Sequence, residues 1–201
     1  SAMARELSRY RLKIGVLEKN LDVCNETSGR NSGVVHGGFA YDRGSLKAKL
    51  CVEGNKMMGD LAKELDFHFI RCGKVLVGNT DEDMETLKRT IDQGKDNGAT
   101  NLELIDEKRL HELVPAVVGK FAMFSHNSGI VDPFGYTIAL AENAHANGAE
   151  YHFGCEVTDI SRDGDGNYCI STSGGTFYSR WVVNSAGLGC GKISDLLGIT
   201  G

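Results

Sequence analysis

Several features are scarce in this sequence, and each scarcity excludes a class of protein. Only 2 of the 201 residues are proline, against 26 glycines, which indicates tight backbone approaches within regular structure and excludes a flexible low-complexity chain. The net charge is −5 and no basic run occurs, so nucleic acid and anionic membranes are disfavoured as partners. No apolar stretch approaches the roughly 20 residues that a membrane-spanning helix needs.

Clustered metal ligands are also missing. The six cysteines form no C-x-x-C pair and the six histidines no H-x-x-x-H pair, so no zinc site or other metal site is predicted. We expect reduced thiols that act as small hydrophobic side chains, as is usual in a cytoplasmic protein. The cysteines are Cys24, Cys51, Cys72, Cys155, Cys169 and Cys190.

Segments typical of strands and helices alternate along the chain, which predicts an α/β fold. Residues 12–18 form a short apolar run rich in branched side chains, as in a buried parallel strand. From Ser45 a long helix is expected, and its apolar face would carry Leu46, Leu50, Gly54, Met57, Met58, Leu61 and Leu65. Further strands are predicted at residues 69–78, 102–105, 120–125, 150–153, 156–161, 168–171 and 176–184, and further helices at 1–11, 80–94, 106–115, 133–147 and 192–197.

Three segments carry residues suited to binding a dinucleotide. Glu18 follows a predicted strand, where a carboxylate accepts hydrogen bonds from ribose hydroxyls, although most such residues are solvated strand ends. Residues 27–38 combine hydroxyls, an amide and glycines, which can cradle a pyrophosphate and approach a flat ring closely. Residues 181–187 read as a buried strand that ends in small residues, which suits a chain passing a nucleotide. An ordinary loop and an ordinary strand end are the alternatives for the last two.

Six motifs occur in an order that resembles one family. They are A-R-E-L at residues 4–7, V-L-E-K at 16–19, T-S-G-R-N-S-G-V-V-H-G-G at 27–38, S-L-K-A-K-L-C at 45–51, S-G-I-V-D-P at 128–133 and V-V-N-S-A-G at 182–187. Together they resemble the FAD-dependent oxidoreductases of the D-amino-acid-oxidase type. Within that family they are most similar to the anaerobic glycerol-3-phosphate dehydrogenase and L-2-hydroxyglutarate dehydrogenase group.

The resemblance implies a fold, a division into domains and a cofactor, FAD. The expected fold is an FAD-binding Rossmann-like domain of the glutathione-reductase type, present in part, with an inserted mixed-sheet substrate domain. Residues 1–66 and 130–201 would belong to the FAD domain, and residues 67–129 to the insert. The cofactor-binding residues implied by the resemblance are Glu18, Lys19, Thr27, Ser28, Asn31, Ser32, Gly33, Val34, Val157, Ser185, Ala186 and Gly187.

His36 lies where chains of this family pass the flavin ring. The resemblance therefore implies three roles for it. A neutral imidazole could accept the proton of a substrate hydroxyl while a hydride moves to the flavin. Alternatively, the side chain is structural, or it attaches the flavin covalently.

The length departs from the family, whose members run to more than twice 201 residues. The first strand of the family's FAD domain and the glycine loop after it are not in the sequence. In the sheet, that strand would lie between the strands of residues 12–17 and 182–184. We therefore expect a fragment that binds FAD weakly or not at all by itself, because two strand edges would lack a partner.

The resemblance implies a small-molecule substrate, a phosphorylated or carboxylated alcohol, and most of all sn-glycerol 3-phosphate. L-2-hydroxyglutarate and amino-acid substrates are the enzymatic alternatives, and a cofactor-free scaffold is the non-enzymatic one. Arg43, Lys47 and Lys49 could neutralise an anionic group, although lysines at a helix start are usually just solvated. A cytoplasmic location is expected, with a membrane or an electron acceptor reached through a partner; the oligomeric state is left open.

Overall fold

The computed structural model describes residues 1–199. Its helices are α1 (Ala2–Leu7), α2 (Leu46–Leu65), α3 (Asp81–Asp96), α4 (Glu107–Leu113), α5 (Pro133–Ala146) and α6 (Cys190–Leu196). Its strands are β1 (Ile14–Leu17), β2 (Val34–Val35), β3 (Phe69–Ile70), β4 (Lys74–Gly78), β5 (Leu102–Asp106), β6 (Phe121–Ser125), β7 (Gly129–Val131), β8 (Ala149–His152), β9 (Val157–Arg162), β10 (Tyr168–Thr172) and β11 (Gly175–Ser179). This mixture of helices with parallel and antiparallel strands confirms the predicted α/β class.

The chain folds into two compact units. The split unit comprises Ser1–Asn31 together with the chain from Thr137 onward, and the central unit comprises Ser32–Tyr136. The functional boundaries expected at residues 66 and 129 remain a prediction.

A short parallel sheet forms the centre of the split unit. β1 pairs with β8 from Ile14 opposite Ala149 to Leu17 opposite His152. The small side chains of Ala4, Ala144 and Ala149 are buried beside it, so helices α1 and α5 approach the sheet closely. Strands β9, β10 and β11 form the predicted antiparallel meander.

The central unit contains two antiparallel sheets of three strands, in the orders β2-β7-β3 and β4-β6-β5. Met123 of β6 is fully buried and packs with Phe39, Val52 and Leu87. On the other side of the same strand, Ala122 packs with Leu110 and Ile105. The alternation of these two clusters along β6 shows that this strand is covered on both faces.

Capping residues confirm several predicted helix boundaries. The Thr80 hydroxyl accepts a hydrogen bond from the Asp83 amide, and the Asp83 carboxylate accepts one from the Thr80 amide, which completes a capping box for α3. The Asp106 side chain caps α4. Helix α5 begins at Pro133 as predicted. Helix α1 is shorter than expected and ends at Leu7.

The strand expected at residues 69–78 is two strands, so that prediction is wrong. β3 pairs with β7, whereas β4 pairs with β6 of the other sheet. Between them Gly73 has a φ of +77° and its amide donates to the Ser128 carbonyl at 2.8 Å. The chain changes sheets at this turn because glycine adopts the left-handed backbone conformation at low cost.

The buried face of α2 also differs from the prediction. Leu46, Leu50 and Met57 are 69%, 56% and 63% exposed, and Met58, Leu61 and Leu65 are half-buried. The fully buried positions lie on the opposite side and are mostly small. The reason is the close approach of the chain before the helix, since a Cβ on Gly38 would overlap the Val52 side chain. The buried residues of the helix are Ala48, Val52, Asn55 and Ala62.

The prediction that residues 176–184 form a strand with a buried end is also wrong. β11 ends at Ser179, and residues 181–186 pair with no strand of the described chain. Trp181 is 81% and Val183 56% exposed. Without a neighbouring strand, the backbone here has no ladder of hydrogen bonds to join.

None of the six cysteines, all of which lie within residues 1–199, forms a disulfide. Cys155 is buried, as expected of a small hydrophobic side chain, but Cys72 and Cys190 are exposed, which corrects the prediction for these two. Among the helices of residues 1–199, none combines the length and the hydropathy needed to cross a membrane.

Candidate functional site

Glu18 follows the end of β1 in the split unit and is half-buried. Its amide donates to the His152 carbonyl at 2.9 Å, which continues the β1–β8 pairing past the strand. Its carboxylate accepts hydrogen bonds from the Asn20 amide at 2.9 Å and from the Asn20 side chain at 3.1 Å. An acceptor group is therefore held at the carboxyl end of a parallel strand, where nucleotides bind in sheets of this kind.

Lys19 forms an ion pair with Glu26. Its Nζ lies 2.8 Å from Oε1 of Glu26, and this contact raises the pKa of Lys19 and lowers the pKa of Glu26. The pair is exposed, so it contributes little stability. The ammonium group of Lys19, which the family resemblance assigned to cofactor binding, is therefore already paired with a carboxylate of the chain.

The segment that begins at Thr27 is ordered by its own hydrogen bonds. Residues Thr27–Gly29 form a 3-10 turn, and the Asn31 side chain donates to the carbonyls of Thr27 and Ser28 at 3.1 and 2.8 Å. The side chains of Thr27, Ser28 and Ser32 are exposed. The turn therefore presents hydroxyl groups on a backbone that Asn31 fixes.

Val157 and residues 185–187, also predicted to bind the cofactor, lie at the start of β9 and before α6. The Cys155 amide donates to the Glu18 carbonyl at 2.9 Å, two residues before Val157. Lys192 of α6 lies 3.1 Å from the neighbouring Glu156. Residues 185–187 lead into α6, and the Ala186 amide donates to the Asn184 side chain at 3.2 Å.

Gly33 and Val34 belong to the central unit. Val34 pairs with Ile130 in the β2–β7 ladder, and the Gly33 carbonyl accepts a hydrogen bond from the Val131 amide at 2.8 Å. Gly33 has a φ of +66°, and a Cβ there would overlap the Val131 carbonyl oxygen. The packing of this chain on itself is thus a sufficient reason for glycine at this position.

His36 directly follows β2 and is held through its backbone. Its carbonyl accepts hydrogen bonds from the Asn55 side chain at 3.0 Å and from the Cys51 thiol at 3.4 Å, both on α2. Burial raises the pKa of Cys51, which keeps the thiol protonated as a donor. The His36 side chain itself is exposed.

Tyr41 and the charges of two lysines form the environment of the His36 imidazole. The ring meets Tyr41 edge-on, with 6.5 Å between the ring centroids, and Lys47 Nζ lies 4.5 Å from the Tyr41 centroid. Partial burial, together with the charges of Lys74 and Lys47, lowers the pKa of His36 below its usual value. The ring is therefore neutral near pH 7, and a nitrogen of it is free of a proton.

Sequence reasoning missed four residues of this neighbourhood: Asn55, Arg71, Lys74 and Asn127. Asn55 is only 5% exposed although it is polar. The signal that could have found it is its spacing, since it lies on the same helix face as Ala48, Val52 and Ala62. Arg71 and Asn127 lie in loops, and no sequence pattern relates them to His36.

Comparisons with known proteins agree with one another. The family described as "DAO: FAD dependent oxidoreductase" matches residues 1–200. Glycerol 3-phosphate dehydrogenase of Caloramator mitchellensis is 37% identical over 98% of this chain and 41% of its own length. Mitochondrial L-2-hydroxyglutarate dehydrogenase of Homo sapiens is 34% identical over 100% of this chain and 46% of its own length. The chain thus spans less than half of these relatives.

A solved structure extends the comparison to three dimensions. L-alpha-glycerophosphate oxidase of Mycoplasma pneumoniae, with FAD bound, superposes with a TM-score of 0.89 at 26% identity, over 97% of this chain and 53% of the oxidase. Glycine oxidase of Geobacillus kaustophilus, at 23% identity over 99% of this chain and 55% of its own, has the same TM-score of 0.89 and shares the fold. The chain belongs to the FAD-dependent oxidoreductase family.

Proposed function

We propose that this chain is part of an FAD-dependent dehydrogenase that oxidises the carbinol of a small anionic hydroxy compound, with sn-glycerol 3-phosphate as the first candidate. The observation that carries the proposal is the imidazole of His36, which follows β2 beside the Tyr41 ring and Lys47, with a pKa lowered by partial burial and by the charges of Lys74 and Lys47. A base near two positive charges suits a substrate that carries both a hydroxyl to deprotonate and a phosphate or carboxylate. The 37% identity to a glycerol 3-phosphate dehydrogenase supports the same substrate.

The residues of the split unit fit FAD by the chemistry of their donors and acceptors. The Glu18 carboxylate would accept from ribose hydroxyls, and the hydroxyls of Thr27 and Ser28 would donate to phosphate oxygens. The roles expected for Val157 and residues 185–187 remain part of the proposal. Lys19, which is paired with Glu26, would contribute only a positive charge at a distance.

His36 would act as the base. When bound, FAD supplies the acceptor for the hydride that leaves the substrate carbon. The hydroxyl proton of the same carbinol passes to the unprotonated ring nitrogen of His36, and the product is a ketone, dihydroxyacetone phosphate in the case of glycerol 3-phosphate. Partial burial, followed by the charges of Lys74 and Lys47, lowers the pKa of His36 and so favours the neutral ring before the reaction.

A steady-state assay of the natural protein at its full length tests the proposal. Reduction of an artificial electron acceptor is measured with glycerol 3-phosphate, with L-2-hydroxyglutarate and with an amino acid. We expect the largest kcat/KM for glycerol 3-phosphate. A larger value for L-2-hydroxyglutarate would keep the mechanism and change the substrate, as the 34% identity to the human dehydrogenase allows.

Two outcomes would contradict more than the substrate. Faster oxidation of an amino acid would indicate an amine-oxidising member of the family, and absence of bound FAD from the full-length protein would favour the cofactor-free scaffold. A cytoplasmic location, and electron transfer to an acceptor that a partner or a membrane provides, are further parts of the proposal. Fractionation of cells with an antibody to the protein tests the location.

A further inference from the structure

We propose that Asn55 is a positioning residue for His36, and that it acts through the hydrogen bond to the His36 carbonyl. The inference rests on the proposed function, in which His36 is the base. It concerns contacts within the central unit alone.

Both polar groups of the buried Asn55 side chain, the NH2 group and the carbonyl oxygen, form hydrogen bonds. Its Nδ2 donates to the His36 carbonyl at 3.0 Å and to the Asn127 carbonyl at 2.9 Å. Its Oδ1 accepts from the Arg71 guanidinium at 3.0 Å. An amide can make these three bonds at once, whereas a carboxylate lacks the donors and a leucine lacks all three groups.

Arg71 fixes the amide from the other side. Its guanidinium also donates to the Asn127 carbonyl at 2.6 Å and to the Asn55 main-chain carbonyl at 3.2 Å. The Asn127 side chain in turn donates to the Thr100 carbonyl at 3.1 Å. Asn55 is thus held on helix α2 by groups from two separate loops, which leaves its side chain little freedom to follow a moving His36.

The backbone around His36 needs such a constraint. On its carboxyl side follow Gly37 and Gly38, which have the widest range of backbone conformations. Space beside Gly37 is tight, since a Cβ there would lie 3.0 Å from the Ser125 hydroxyl, and the Gly38 carbonyl accepts a hydrogen bond from the Asn97 side chain at 3.3 Å. The peptide between His36 and Gly37 is oriented by its carbonyl, and Asn55 is the stronger of the two donors found there, because a thiol donates weakly.

Loss of the Asn55 donor would let this peptide rotate and move the His36 imidazole relative to a substrate. A displacement of about 1 Å in catalytic geometry costs about 100-fold in rate. We therefore expect Asn55→Asp, which keeps the size of the side chain and an acceptor for Arg71, to lower kcat by about 10- to 100-fold with little change in KM.

A double-mutant cycle distinguishes positioning from a general structural role. The cycle combines Asn55→Asp with His36→Gln in the full-length protein and measures kcat with glycerol 3-phosphate and an artificial electron acceptor. If Asn55 acts through His36, the double variant is no slower than His36→Gln alone. If the two losses multiply, Asn55 acts by another route and the inference is wrong.

Three further measurements keep the test interpretable. Leu110→Ala, in the separate buried cluster with Ala122, is the control for lost stability and should leave kcat unchanged. The flavin absorbance per chain should be the same in all variants, because Asn55 has no assigned contact with the cofactor. If Asn55→Asp folds poorly, Asn55→Leu takes its place in the cycle, with the same expectations.

A titration of the His36 ring by NMR provides a readout independent of turnover. In the neutral variant Asn55→Leu, which adds no charge beside the ring, the ring should move out of its present surroundings and its pKa should change, whereas in Leu110→Ala it should not. An unchanged titration in Asn55→Leu with normal kcat would overturn the positioning role. Full activity of His36→Gln would instead overturn the proposed function, so the two failures are distinguishable.

Discussion

Gly33 provides a direct test of whether a glycine in the predicted cofactor loop serves the fold or the ligand. A Cβ at this position would overlap the Val131 carbonyl oxygen, which is a backbone atom of β7 and cannot rotate aside. Gly44 is a matched control, since it has a similar φ of +70° and a Cβ there would meet nothing within 4 Å. The difference between Gly33→Ala and Gly44→Ala therefore isolates the contact.

The magnitude follows from three contributions. Alanine in the left-handed conformation costs about 1–2 kcal/mol, and its lower entropy in the unfolded chain returns about 0.4–1 kcal/mol. Both contributions apply to both variants, so Gly44→Ala should lose about 1 kcal/mol in total. Gly33→Ala should lose a further 1–3 kcal/mol, roughly, as overpacked sites do.

Thermal unfolding followed by circular dichroism, without added FAD, measures the difference. At about 2–4 °C per kcal/mol for a chain of this size, Gly33→Ala should melt roughly 2–12 °C below Gly44→Ala. Equal melting temperatures would refute the packing argument. If Gly33→Ala in the full-length protein then also bound FAD more weakly, the need for glycine would be explained by the cofactor instead.

Three other predictions concern pH, packing and the cofactor. In the full-length protein, kcat/KM should fall at acidic pH as His36 is protonated. Lys74→Met should move this fall to higher pH, because removing a positive neighbour raises the pKa of His36. A pH profile that is the same in the variant would contradict the assignment of His36 as the base. Leu110→Ala, at a fully buried position, should destabilise the fold by about 2–5 kcal/mol in urea titrations, and a loss below 1 kcal/mol, roughly, would mean that the site collapses freely. The 201-residue chain purified alone should show little flavin absorbance, because β1 pairs along one edge only within the described residues; a stoichiometric flavin band would refute this.

Local chemistry explains which parts of the fold could be predicted from the sequence. Thr80 with Asp83, and Asp132 with Pro133, define helix starts through contacts between near neighbours in the chain. The family motif likewise identified the loop of His36, since its glycines and hydroxyls are contiguous. These features require no knowledge of distant segments.

Features that depend on distant segments were not predictable in the same way. The face of α2 that is buried depends on which chain packs against it, and the loop at Gly38 admits only the side with smaller residues. For this reason the large side chains of Leu46 and Leu50, the obvious core candidates by size, are exposed. Asn55 escaped notice because its partners, His36 and Asn127, are 19 and 72 positions away.

Trp181 gives the protein a built-in optical probe. It is the only tryptophan of the chain, so all indole fluorescence comes from one exposed position just after β11. Its emission should lie at the long wavelengths of a hydrated indole, and iodide or acrylamide should readily quench this fluorescence. Any polypeptide or ligand that covers residues 181–184 would shift this emission to shorter wavelengths, which allows such an event to be followed in real time without a label.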